Sequence, residues 1–120
     1  MIRLMVSAPA SSSGKTAVTC ALEDNAAADA LLAQLPLTIE IEDYSTNEKI
    51  FYPPQALETA GAPAASGGAG VLAYYAPWGD VVLFYDGFSE NASLFALGRA
   101  VSGAESIRDL TGTVTVAVAE

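Results

Sequence analysis

Histidine is absent from this 120-residue chain, cysteine occurs once, and basic residues number only five. Each shortage excludes something. Without histidine the chain lacks the side chain that most often serves as general base or imidazole metal ligand near neutral pH. A single cysteine, Cys20, cannot close an internal disulfide or contribute to a Cys/His zinc cluster. Arg3, Lys15, Lys49, Arg99 and Arg108 are too few to neutralise a phosphate backbone, and fourteen acids bring the net charge to −9. Nucleic acid is therefore excluded as a partner, and anionic lipid surfaces are disfavoured. No run approaches the roughly 18 apolar residues of a membrane span. The apolar run after Arg3 is shorter than the roughly 7–15 residues of a signal-peptide core, so a cytoplasmic location is expected. Glu40, Glu42 and Asp43 lack calcium-loop spacing, and neither a metal nor a cofactor is expected.

What is present supports a core. The chain is 52% hydrophobic and 16% charged, against about 25% charged in an average soluble domain. Its length fits one domain over residues 1–120. Ile2–Ser7 is a short apolar run, followed by the small, polar turn segment 8–14. Lys15–Leu22 alternates with Val18, Cys20 and Leu22 on one face, which predicts a strand with those residues inward. Asp24 or Asn25 can cap a helix running to Leu35, with Ala28, Leu31, Leu32 and Leu35 at helical spacing and Pro36 as the stop. Ile39 and Ile41 alternate with acids. The stretch 59–70 holds only small side chains and Thr59, and is expected to be a free surface loop. Val71–Tyr75 and Val81–Tyr85 predict two strands around the turn 76–80. Another strand is expected at Ser93–Leu97, a short helical turn at Ser102–Leu110, and a last strand with its valines inward at Thr113–Val118. Many short strands with one sizeable helix indicate a β-barrel or a strongly curved sheet.

Ser11-Ser12-Ser13-Gly14-Lys15-Thr16 has the look of a phosphate loop. The first 22 residues resemble the opening of P-loop amidotransferase-type synthases of the cobyrinate diamide family. That site needs backbone N–H groups around the phosphates and a helix opening directly behind them. Here Pro9 stands at the first glycine position, Ser12 replaces a second glycine, and the following segment alternates as a strand. The segment reads as a hairpin turn.

From Leu22 onward the chain resembles a small prokaryotic cyclophilin-like family. The resemblance rests on Leu22-Glu23-Asp24-Asn25, Leu35-Pro36-Leu37-Thr38, Asn47-Glu48-Lys49, Tyr74 to Asp80, Leu83-Phe84-Tyr85 and Leu97-Gly98-Arg99. It implies a closed β-barrel of about eight strands, a main helix covering one end and a short second helical turn. It also implies a family largely without assigned function, some of whose members are joined to flavodoxin-like domains. The Arg-x-x-Pro-x-Phe-x-x-Gln run of the cyclophilin isomerases has no counterpart here, so no isomerase catalytic residue carries over.

The candidate pocket comprises Glu48, Tyr75, Trp78, Phe84, Tyr85 and Arg99. Neighbours on a strand face opposite ways, so Tyr74 and Tyr75 cannot both be interior, and neither can Phe84 and Tyr85. One ring of each pair can join Trp78 in an apolar wall suited to a small molecule or a peptide. Glu48, expected to point into a barrel mouth, would be its polar anchor, and Arg99 could pair with Asp80 or with an acidic ligand. The function expected is ligand or peptide binding without efficient prolyl isomerase activity. Two alternatives stand beside it: a weak peptidyl-prolyl isomerase or other enzyme with Glu48 as acid/base, and an interaction protein serving a flavodoxin-like domain. Cys20, predicted inward, offers no nucleophile. The oligomeric state is not set by these residues.

Overall fold

In the computed structural model, which describes residues 2–11 and 14–119, β1 (Arg3–Ser11) and β2 (Gly14–Leu22) form a long hairpin. Helix α1 (Ala26–Leu32) follows, then β3 (Leu37–Tyr44), β4 (Glu48–Phe51), β5 (Val71–Tyr75) and β6 (Asp80–Phe84). After β7 (Leu94–Ser102) come a 3-10 helix (Ala104–Asp109) and β8 (Gly112–Ala119). The eight strands close in the order β1-β2-β7-β5-β6-β4-β3-β8, every neighbouring pair antiparallel. Closure removes the free edges that an open sheet would have to protect. The chain is thus mainly β, as its many short alternating runs imply.

Alternation decides the filling of the barrel. Leu4 and Val6 lie opposite Cys20 and Val18, and all four are buried together with Leu22, Ile41, Val114 and Val116. Val118, near the end of β8, departs from the expected pattern and is exposed. Gly98 on β7 sits against β2 so closely that a Cβ there would strike the carbonyl oxygen of Ala21. Only glycine permits that approach.

Because β2 and β7 run antiparallel, the chain leaves them at opposite ends of the barrel, and each exit feeds a helix that closes its end. Asn25 caps α1: its Oδ1 accepts the Ala28 N–H at 2.8 Å, and its Nδ2 donates to the Ala96 carbonyl at 3.1 Å. That pins the helix so that Ala27, Ala28 and Leu31 enter the core. The helix ends earlier than its spacing predicts. At the other end Ile107 and Leu110 of the 3-10 segment plug the barrel.

A second apolar cluster lies outside the barrel. Ile50, Val71, Ala73, Val82, Phe84 and Leu94 form it, on the outer face of β4, β6, β5 and β7. The stretch 59–70 covers part of it, against the expectation of a free loop. Ala64 bridges to Phe95, the Ala65 N–H donates to Leu94 at 2.8 Å, and the Ala96 N–H donates to Pro63 at 2.9 Å. Residues 63–65 thus pair antiparallel alongside the start of β7, and Ala65 is fully buried.

The serine-rich segment of the first hairpin is only partly described, since Ser12 and Ser13 lie outside the described residues. From Gly14 the chain is strand, paired to β1, and no helix opens behind Thr16. A phosphate loop requires that helix.

Candidate functional site

The outer face of β3, β4, β6 and β5 carries the site. Register places Tyr44 opposite Glu48, Glu48 opposite Phe84, and Tyr75 opposite Asp80. Directly opposed residues in antiparallel strands project to the same side. The β5–β6 turn then returns tightly: the Gly79 N–H donates to the Tyr75 carbonyl at 3.0 Å, and Gly79 has φ of +70°, where other residues are strained. This turn holds Trp78 edge-on to two tyrosines, 4.8 Å from the Tyr44 ring centre and 5.5 Å from that of Tyr75. From the β6–β7 loop Phe88 stacks on Phe84 at 3.8 Å. The Asn47 amide donates to the Gly87 carbonyl at 3.0 Å and secures that loop. Between these walls lies a cavity of about 240 Å³, floored by Val82, Phe84 and Leu94. It is smaller than the roughly 300–1,000 Å³ of most ligand pockets, so it suits a small molecule or one side chain.

Two carboxylates give the site its charge. Glu48 lines the cavity, and its carboxyl is pushed above the ordinary range by burial and then by the negative charge of Asp80. Asp80 is 1% exposed, and its Oδ1 has no hydrogen-bond partner among the described residues. Burial raises its carboxyl too, opposed by a hydrogen bond from its own backbone N–H. A buried carboxylate oxygen without a donor is costly, and such groups concentrate at functional sites.

Four of the six residues expected from sequence meet here: Glu48, Tyr75, Trp78 and Phe84 all line the cavity. Tyr85 and Arg99 do not. Tyr85, one residue past Phe84, turns to the opposite side of the sheet and packs on the interior cluster. Its hydroxyl donates to Asp43 at 3.3 Å, and the Arg108 guanidinium lies 5.3 Å from its ring centre. Arg99 is exposed on β7, paired with Val71 and Ala21, and forms no ion pair with Asp80. Glu48 also faces differently from the expectation. It lies on the outer side, and Lys49 takes the interior position, 3% exposed with its ammonium 3.0 Å from Asp43. Asp43, 60% exposed, thus serves as the partner of a buried ammonium. Burial pushes the Cys20 thiol up to about 12, which leaves it inert.

Sequence reasoning missed Tyr44, Phe88, Asn91, Leu94 and the part played by Asp80. One signal was available. All five residues of β6 are buried, and an unbroken apolar run marks a strand covered on both faces. The covering segments, distant in sequence, carried no such mark.

Comparison with known proteins agrees with this architecture. No curated protein matches the chain. A hypothetical protein from Archaeoglobus fulgidus, whose structure was determined in solution, aligns with a TM-score of 0.66 at 20% identity, over 98% of this chain and 95% of that one. At that identity the likeness is one of fold. The model of the cyclophilin-like family matches residues 12–119. With nearly its whole length matched, the chain belongs to the cyclophilin-like family.

Proposed function

We propose that this barrel is a small-ligand-binding protein and that the outer-face cavity is its binding site, without efficient prolyl isomerase activity. One observation carries the reading: Glu48, Tyr75, Trp78 and Phe84, from two strands and the turn between β5 and β6 together with β4, converge on one concavity. Trp78 remains 47% exposed there. An apolar cavity with a few polar groups is the usual form of a small-molecule site.

The test is a fragment screen by amide and indole NMR. Bound fragments are expected to shift the Trp78 indole and the Glu48 amide together, and to lose that effect in Trp78→Ala with folding retained. A diverse library that moves neither signal would overturn the proposal.

A second reading, acid/base chemistry by Glu48, is favoured by its placement in the cavity wall, where burial holds its proton more tightly than in water. A proline-peptide isomerisation assay separates the two. Binding alone gives no rate above background, whereas a rate abolished by Glu48→Gln selects catalysis.

A further inference from the structure

Resting on that binding reading, we infer that the cavity takes an organic cation, specifically an alkylated ammonium group. Three features of the site point to it. Tyr44, Tyr75 and Trp78 all line the cavity, with the tyrosine rings at 86° and 78° to Trp78, so the three rings meet one space in different orientations. Ring faces carry negative quadrupole charge and attract cations, most strongly those with little bound water. Second, among the described residues the only ionisable group lining the cavity besides tyrosine is Glu48, with no lysine or arginine in its walls. The nearest lysine in sequence, Lys49, faces the other side and is engaged by Asp43.

The third feature is Asp80. It lies opposite Tyr75 on the same outer face, buried, with one carboxylate oxygen unpartnered among the described residues, and its charge reaches Glu48. Asp80 stands behind the wall and not in it, so a cation in the cavity would meet Glu48 directly and the Asp80 charge from a distance. The degree of alkylation follows from hydration: a primary ammonium holds its water strongly, whereas an alkylated nitrogen holds little and presents methyl groups to the rings. The same group occurs free in small metabolites and on methylated lysine side chains, and either fits the chemistry.

The experiment titrates the intact protein with choline and with its neutral carbon isostere 3,3-dimethylbutan-1-ol, following the Trp78 indole by NMR. Choline should bind at least roughly tenfold tighter than the isostere, and Glu48→Gln should remove most of that preference. Tyr44→Leu should weaken choline while leaving the isostere nearly unchanged. Equal or tighter binding of the isostere overturns the cation assignment and leaves the pocket standing. No binding of either compound also overturns it, and the fragment screen then decides the pocket separately. A trimethyllysine peptide that binds well above choline identifies a protein source, and equal binding identifies a free metabolite. Both results support the assignment.

Discussion

The barrel interior and the outer cluster are built from the same strands, but they treat buried charge in opposite ways. Inside, the buried ammonium of Lys49 is met by Asp43, itself 60% exposed. Outside, Asp80 is buried as deeply and has an oxygen without a donor among the described residues. The interior is sealed by α1 and the 3-10 helix, whereas the outer cluster is only partly roofed by residues 59–70 and the β6–β7 loop. Where polar satisfaction is complete, the region is explained by folding. Where it is incomplete and a cavity adjoins it, folding alone is a poor explanation.

The largest effect expected comes from cutting each cluster at adjacent residues of β6. Leu83 is 1% exposed inside the barrel and Val82 1% exposed outside it. Leu83→Ala should cost about 2–5 kcal/mol in chemical denaturation, since the sealed interior cannot collapse around the void. Val82→Ala removes two methylenes' worth of burial, about 1–2 kcal/mol, beneath a cavity that already exists. Equal losses at the two sites would show that the outer cluster is packed as rigidly as the core.

Next in size is the contrast between the two buried charges. Asp80→Asn should stabilise the protein by about 1–3 kcal/mol near neutral pH, because the uncompensated charge is removed. The sign follows from the direction of its shift. Its folded carboxyl titrates above the ordinary value of 3.8, so the folded state holds the proton more tightly than the unfolded chain. Its favourable contribution is complete below that ordinary value and is lost as pH rises through the folded one. The advantage of Asn should therefore shrink in acid, where Asp80 is already neutral, as urea melts across pH would record. Lys49→Met, by comparison, leaves a hydrated Asp43 and should stay within about 1 kcal/mol of the native protein. A destabilised Asp80→Asn would mean that the carboxylate has a structural partner after all.

The same contrast marks what could be read from the chain. Alternation in Lys15–Leu22 placed Val18, Cys20 and Leu22 correctly, because a period of two leaves little freedom once one face is buried. Glu48 was found by chemistry but turned to the wrong side. The four-residue strand Glu48–Phe51 is buried at Lys49, Ile50 and Phe51 alike, so it has no polar face to reveal its orientation. Phe88 and Tyr44 reach the site from loop and strand end, where neither periodicity nor spacing records a tertiary neighbour. The 59–70 stretch misled for a related reason: small residues signal freedom in sequence, yet they also allow backbone to lie close on a sheet.

The smallest effect is also the cleanest comparison, since Tyr74 and Tyr75 are adjacent and differ only in the face they occupy. The Tyr74 hydroxyl accepts the buried Leu57 N–H at 3.2 Å, deep in the interior cluster. Tyr74→Phe removes that acceptor without changing the ring, and a loss of about 1 kcal/mol is expected in thermal or urea melts. Tyr75 is half-buried, and its hydroxyl has no partner among the described residues. Tyr75→Phe should therefore alter stability by less than about 0.5 kcal/mol. If ligand contact is what holds Tyr75 at the cavity, Tyr75→Leu should weaken choline while the melt stays near that of Tyr75→Phe. A Tyr75→Phe loss as large as that of Tyr74→Phe would make the outer ring structural, and the distinction between the two faces of β5 would disappear.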